Sequence, residues 1–214
     1  MGLLSEHDRL AIRTALSGLA SDVRLVLFTQ QFECPYCKMT HDLLDELVKL
    51  SPRLSLTVYD FVQDPAAVAE YGVDKVPAIA VVGAQDYRIR FYGVPAGYEF
   101  AALLEAIVDV ARGFPQLPDA VLAKALSIDR PVHLQVLTSP SCPHCPRAVR
   151  AAHRLAMSNP HIRGDMVEVS EYPFLAVKYG VQGVPHTVVN ETGHVMGGVP
   201  EDRLLTEILK NLVR

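Results

Sequence analysis

The sequence has no strong excess of charge of either sign, no long apolar run and few cysteines, and each shortage removes a class of function. Twenty Lys and Arg stand against 24 Asp and Glu, a formal net charge of −4. That balance gives no electrostatic footprint for nucleic acid or for an anionic membrane as partner. No stretch approaches the roughly 18 uninterrupted apolar residues of a membrane span. The opening Met1-Gly-Leu-Leu-Ser-Glu-His-Asp-Arg runs into charge before the apolar segment of a targeting signal can form. These absences lead to the expectation of a soluble, cytoplasmic protein. With 50% of its 214 residues hydrophobic and 21% charged, the chain suffices for one large domain or two small ones, each with a core.

Only four cysteines occur, and none stands alone: Cys34/Cys37 and Cys142/Cys145 are both Cys-x-x-Cys pairs. Structural disulfides are uncommon in the cytosol, so paired cysteines there are usually catalytic or metal-binding.

Shifting the chain against itself by 108 positions brings several landmarks into coincidence. Cys34 falls on Cys142, Pro35 on Pro143 and Cys37 on Cys145; farther on, Pro65 falls on Pro173 and Tyr71-Gly72-Val73 on Tyr179-Gly180-Val181. Val76-Pro77 falls on Val184-Pro185, and Gly93-Val94-Pro95 then matches Gly198-Val199-Pro200 at an offset of 105. A constant offset over such a length marks a tandem duplication, which fixes the architecture before any other feature. Gly113-Phe-Pro-Gln-Leu-Pro118 reads as the linker, because two prolines and a glycine break any helix through it. The expected units are residues 1–113 and 114–214.

Within each copy the hydrophobic periodicity gives the same order. An amphipathic helix opens it, Leu3 to Leu19 with Leu10, Ile12, Leu16 and Leu19 apolar, or Pro118 to Leu126 with Val121, Leu122 and Leu126. A β-rich run follows, Val23 to Thr29 or Val132 to Thr138, and then the cysteine pair leading into a helix. Leu43, Leu44, Leu47 and Leu50 are the apolar face of that helix in the first copy. A strand comes next, Leu54 to Phe61 or Met166 to Val169, then a short helix opened by Pro65 or Pro173. The Val-Pro pair starts a hairpin, and a last amphipathic helix closes each copy, Tyr98 to Arg112 or Glu201 to Val213. This order resembles the thioredoxin fold. The expected class is α/β, with two tandem thioredoxin-like units, each a mixed central sheet flanked by helices.

Disulfide exchange needs an accessible thiolate to attack and a second thiol near enough to resolve the mixed disulfide. Two intervening residues at a helix start provide both. The first cysteine lies near the free N–H groups and the positive end of the helix dipole, and the second is one turn in and covered. Cys34 and Cys142 are the expected attackers, Cys37 and Cys145 the resolving thiols. Pro35 and Pro143 suit a first helical position, where no N–H is required. Pro146, straight after Cys145, is then expected to cost a helical hydrogen bond. Tyr36 and His144 are the residues by which the two motifs differ. A histidine beside the attacking sulfur supplies positive charge and lowers its pKa, so His144 points to the more oxidising disulfide at the second centre.

Two bland readings compete. A structural disulfide across so short a loop constrains the unfolded chain little. Four thiolates also make a familiar tetrahedral zinc site, as in an interaction module. Against that, each pair lies in its own repeat with its own Val-Pro partner. His41, His133, His153, His161 and His194 follow no ligand spacing, so no metal ligands are expected.

The resemblance sharpens on particular residues. Ser-Cys142-Pro-His-Cys145-Pro-Arg-Ala-Val-Arg-Ala-Ala-His and the later Gly164-Asp-Met-Val-Glu-Val-Ser-Glu-Tyr-Pro173 are similar to the glutaredoxin-like protein disulfide oxidoreductases of thermophiles. Cys34-Pro-Tyr-Cys37 is the glutaredoxin-type motif. The resemblance covers essentially the whole chain. It implies oxidation, reduction and isomerisation of protein disulfides or dithiols, no cofactor beyond the cysteines, and a thioredoxin reductase flavoprotein as electron source. It also implies cis prolines at Pro77 and Pro185, with substrate backbone pairing beside Val76 and Val184 by strand addition. His144 departs from the family's usual tyrosine, and shares its dipeptide with strongly oxidising periplasmic disulfide oxidases. The alternative within redox chemistry is a dithiol carrier feeding a peroxidase, like the N-terminal part of the alkyl hydroperoxide reductase flavoprotein. That part keeps cysteines only in its second unit.

Overall fold

The apolar β-branched runs form strands and the amphipathic stretches form helices, in the same order twice. A computed structural model describes residues 2–213. The first repeat comprises α1 (Glu6–Leu16), β1 (Val23–Thr29), α2 (Cys37–Val48), β2 (Leu54–Asp60), α3 (Pro65–Tyr71), β3 (Ala78–Val82), β4 (Asp86–Tyr92) and α4 (Tyr98–Arg112). The second comprises α5 (Asp119–Leu126), β5 (Val132–Thr138), α6 (Cys145–Ser158), β6 (Ile162–Glu168), α7 (Pro173–Lys178), β7 (His186–Val189), β8 (Gly193–Met196) and α8 (Glu201–Leu212). Gly113, at φ +82°, ends α4 in the left-handed conformation that glycine adopts at low cost, and the linker follows.

Leu43, Leu44, Leu47 and Leu50 are buried as their spacing requires, and so are Ile12, Leu16 and Leu19. Leu10 and Leu126 are exposed instead. Leu10 lies two positions before Ile12, on the opposite side of the helix from the Ile12/Leu16 stripe. Leu126 is likewise off the stripe formed by Val121 and Ala125, which are four apart.

The two sheets are mixed, as expected, but they are not separate. The strands run β2-β1-β3-β4-β6-β5-β7-β8 in one eight-stranded sheet. Within each repeat the first two strands are parallel and the hairpin is antiparallel. The junction is a parallel pairing of β4 with β6, in the register Ile89↔Gly164, Arg90↔Asp165, Phe91↔Met166 and Tyr92↔Val167. Ile89, Phe91, Tyr92, Met166 and Val167 are all fully buried there. Each such side chain contributes about 1.5–3 kcal/mol relative to exposure. Joining the sheets also removes two open edges, which are templates for unwanted strand pairing.

The polar start of β6 explains why only its second half is legible in the sequence. Ile162-Arg163-Gly164-Asp165 has no alternation of an ordinary half-exposed strand, yet Asp165 is completely buried. Its carboxylate takes 2.8 Å and 2.6 Å contacts from Arg163 Nε and the His133 ring. Although burial pushes its pKa up, His133 and Arg163 together hold the carboxyl well below the usual range. The same arginine donates to Gly72 O (2.7 Å) and to the Tyr92 hydroxyl (2.6 Å), tying β6 to the first repeat.

A second tie passes through helices. Asp109 on α4 is buried and accepts from Arg150 (3.0 Å) and Arg154 (3.3 Å) on α6. A third is backbone. Tyr98 N–H donates to Pro140 O (3.0 Å), in the loop between β5 and α6. Gly97, with φ +55° and ψ −126°, permits that approach: a Cβ there would lie 2.4 Å from Pro140 O. Gly97→Ala should therefore cost about 2–3 kcal/mol, from backbone strain and a contact with backbone that cannot swing aside. Urea denaturation of the variant and of wild type checks this, and a loss below half of that would mean the approach is less tight than described.

Candidate active site

The two cysteine pairs occupy equivalent positions. The Cys37 N–H reaches Cys34 O and the Cys145 N–H reaches Cys142 O, both at 3.3 Å, so each motif makes the same tight turn into its helix. Each pair is closed as a disulfide, with Cα separations of 5.4 Å and 5.5 Å. Cys37 and Cys145 begin α2 and α6 and are 2% and 0% exposed, as suits resolving thiols. Cys34 is half-buried, whereas Cys142 is 7% exposed. The Gln30 N–H points to Cys37 Sγ at 3.4 Å.

Tyr36 and His144 are the N-cap residues, and their side chains do not cap. Pro35 and Pro143 therefore stand just before the cap rather than at the first helical position. The proline inside the first turn is Pro146. The first-turn N–H groups have no intrahelical partner, so Pro146 costs α6 no hydrogen bond there, contrary to the penalty for a proline deeper in a helix.

The units are not superimposable before the cysteines. Four residues separate Thr29 from Cys34, but three separate Thr138 from Cys142. The extra residue is absorbed at Glu33, which has φ +56°.

Both Val76-Pro77 and Val184-Pro185 are cis. Each proline directly precedes the strand beside the one that leads to a cysteine pair. Ala78 pairs with Phe28 and His186 with Leu137, which places Pro77 and Pro185 at the strand ends from which the cysteine loops depart. Pro77 O accepts from Gly93 N (3.0 Å) and from the Tyr172 hydroxyl of the other repeat (3.1 Å). Pro185 O accepts from Gly197 N at 2.9 Å. Val76 and Val184 are half-buried.

The four sulfurs do not converge as the zinc reading would need. They close pairwise, and among the described residues no three His, Cys, Asp or Glu side chains gather as a metal-ion group.

The sequence pattern did not reveal a cluster of acids beside the second centre. Glu99, at the start of α4, is 1% exposed and lies against Thr138, the last residue of β5. Glu168 caps the N–H groups of Ser170 and Glu171, and Glu171 accepts from Val94 N at 2.7 Å. One oxygen of Glu99 and one of Glu171 are buried without a partner. Burial, with Glu168 and Glu171 nearby, raises the Glu99 pKa from 4.5 to about 8 against the lowering by Thr138. Burial and Glu168 raise Glu171 to about 7, against the Val94 N–H. The Thr138 hydroxyl donates to Glu99 and also faces Val167 O at 3.2 Å. A signal was present: Glu99 precedes Ala102, Leu103 and Ala106 at helical spacing, an acid on the buried stripe.

This acid makes stability depend on pH in a definite direction. Above pH 4.5 the unfolded chain releases a proton that the folded chain keeps until about pH 8. The contribution is complete below 4.5 and is lost as pH rises through 8. Between about pH 5 and 8, wild type should lose up to about 1.4 kcal/mol per pH unit more than Glu99→Gln, whose amide keeps an acceptor for Thr138 without titrating. Urea unfolding at several pH values measures it; parallel pH profiles would show that Glu99 is ionised in the folded protein.

Comparison with known proteins accords with this geometry. The thioredoxin domain family matches residues 25–105 and again residues 132–210. A protein disulfide oxidoreductase from Aeropyrum pernix is 32% identical, with a TM-score of 0.89 over 95% of this chain and 91% of that one. The alkylhydroperoxide reductase protein AhpF from Enterococcus faecalis shares the fold, with a TM-score of 0.89 at 23% identity over 96% of this chain and 99% of that one. Among curated proteins, an NADH dehydrogenase of Bacillus subtilis is 24% identical over 78% of this chain, and the corresponding alkyl hydroperoxide reductase protein of Staphylococcus aureus is 27% identical over 61%. The chain spans 30% and 24% of the lengths of those two relatives. Matched by the family over both cysteine pairs, and by a 32% identical relative along almost its whole length, the chain belongs to the tandem thioredoxin-fold family that includes the protein disulfide oxidoreductases.

Proposed function

We propose that this protein is a cytoplasmic protein thiol–disulfide oxidoreductase, reducing, oxidising or isomerising protein disulfides through two Cys-x-x-Cys centres. The observation that carries the reading is that both pairs are complete. Each is closed as a disulfide at a helix start, with its second sulfur buried and a cis Val-Pro at the neighbouring strand end.

In the reducing direction the Cys34 or Cys142 thiolate attacks one sulfur of a substrate disulfide. A bond forms to the attacker, the substrate's bond breaks, and its other sulfur leaves as thiolate. The Cys37 or Cys145 thiolate then attacks the same attacker sulfur. The internal disulfide closes and the substrate leaves with two electrons gained. A dithiol donor, for which a thioredoxin reductase flavoprotein is the candidate, reopens the pair. Oxidation of a dithiol substrate is the same sequence reversed, starting from the closed pairs seen here. Val76-Pro77 and Val184-Pro185 are the positions beside which an extended substrate backbone pairs, so that recognition depends little on side-chain identity.

A dithiol carrier that feeds a peroxidase is the second reading, favoured by the likeness to the alkyl hydroperoxide reductase proteins. Against it, the first centre here is as complete as the second.

The centres differ in charge. At the start of α6, His144 replaces Tyr36 and Arg147 replaces Met39, and both basic residues are exposed. Positive neighbours favour the thiolate and hence the reduced form. Cys142/Cys145 should have the less negative reduction potential, by about 30 mV or more, in glutathione titrations of variants that keep one pair. An equal or reversed order would remove the assigned role of His144. Cys37→Ser and Cys145→Ser should accumulate mixed disulfides with protein substrates, visible on non-reducing gels, while Cys34→Ser and Cys142→Ser should not. Capture by the second set alone would exchange attacker and resolver.

A further inference from the structure

The duplication places a groove beside each centre in the same position and with opposite chemistry. The offset of 108 relates Met39 to Arg147 and Leu43 to Ala151, and the offset of 105 relates Val94-Pro95 to Val199-Pro200. All of these line grooves. In the first repeat a groove of about 690 Å³ runs between α1, α2 and α4, with Leu4, Ile12, Met39, Leu43, Val94 and Phe100 among its walls. Its counterpart, about 450 Å³, is walled by Arg147, Arg150, Arg154, Glu105 and Glu201. Arg150 bonds Glu105 (3.1 Å) and Arg154 bonds Glu201 (3.2 Å) across it. An apolar group entering the second groove would strip water from these ion pairs, whereas the first is walled by hydrocarbon and backbone with Asp8 as its one charged residue.

The rims repeat the contrast. Phe32, Tyr36 and Met39 surround Cys34 and are 77%, 42% and 48% exposed. Beside Cys142 the matching helix-start positions are His144 and Arg147, and the shorter loop before it holds Pro140 and Ser141. Cys34 itself is half-buried, and Cys142 is 7% exposed. Large exposed apolar groups clustered around one centre mark a surface made to be covered.

We infer that the first centre is the one that captures unfolded polypeptides, seating in this groove an apolar side chain that flanks the substrate's cysteine. The second centre acts on disulfides without regard to such a flank. The inference rests on the oxidoreductase reading above. The occupant follows from continuity with the reactive sulfur. Met39 lies in the first turn after Cys37, so a chain joined to Cys34 Sγ has its neighbouring residues at the groove's mouth. At about 3.3 Å per residue, a side chain one to three positions away reaches in. Unfolded chains present the large apolar side chains that folded proteins bury.

The test uses two disulfide peptides that differ only in their flanks, Leu and Phe in one and Ser in the other, with dithiothreitol as reductant. The full-length variant Cys142→Ser/Cys145→Ser retains only the first centre, and Cys34→Ser/Cys37→Ser only the second. The first-centre protein should favour the apolar peptide in kcat/KM by about tenfold or more, and the second-centre protein by less than about threefold. Met39→Arg should bring the first ratio towards one, and Arg147→Met should raise the second. If either substitution unfolds the chain, the ratios of the two single-centre proteins still decide. Equal ratios at both centres overturn the inference and leave the oxidoreductase reading intact. No turnover of either peptide by either protein overturns that reading itself. Dimerisation that Met39→Arg abolishes, with an unchanged ratio, would mean that a second copy fills the groove and would also overturn the inference.

Discussion

Four residue pairs between β4 and β6, from Ile89↔Gly164 to Tyr92↔Val167, turn two four-stranded sheets into one. The join is head-to-tail: the last strand of the first repeat pairs with the second strand of the next. It therefore cannot treat the two repeats alike. In the first repeat the edge strand β2 is open and partly exposed, while its counterpart β6 is buried on nearly every residue. Asp165, which burial would otherwise make costly, is tolerable there because Arg163 pairs with it, the His133 ring hydrogen-bonds to it and Arg163 reaches on to the first repeat.

The two redox centres inherit this inequality. The loop from β4 to α4 leads away from the first centre and onto the second, where Gly97 and Tyr98 meet Pro140 and Glu99 meets Thr138. The second centre is thus built partly from the first repeat, with a proton-holding acid that the first centre has no equivalent for among the described residues. The first centre keeps Cys34 more open than Cys142 and has the exposed apolar residues Phe32, Tyr36 and Met39 close to it in the chain. Cysteine pairs of identical spacing on a duplicated scaffold have become different sites through what stands beside them rather than through the cysteines.

Features carried by short sequence intervals were legible before the structure. The cysteine spacing, the repeat offset, the hairpin prolines and strands β1 and β5 all depend on a few neighbouring residues, and all are found where the pattern put them. What the pattern could not carry was contact between distant segments. The junction pairs residues about 75 positions apart, and β6 hides half its length behind Arg163, Gly164 and Asp165, which look like loop until Tyr92 and His133 are placed beside them. Leu10 and Leu126 are apolar but lie off the buried stripes, and Glu99 is charged but lies on one. Pro146 looked like a helix penalty because the helix start was placed too early. Each error comes from a residue whose environment is set by a partner in the other half of the chain or by one turn of helix phase.

Hydrogen exchange measured residue by residue on the native, oxidised protein tests the junction most directly. If β4 and β6 are central strands of one sheet, the amides of Ile89–Tyr92 and Gly164–Val167 that face each other should exchange only on global unfolding, as slowly as those at the centres of β1 and β5. Exchange at the faster rate of the outward-facing amides of β2 and β8 would show that the two repeats separate in solution. The composite second centre would then not be the state in which the protein works.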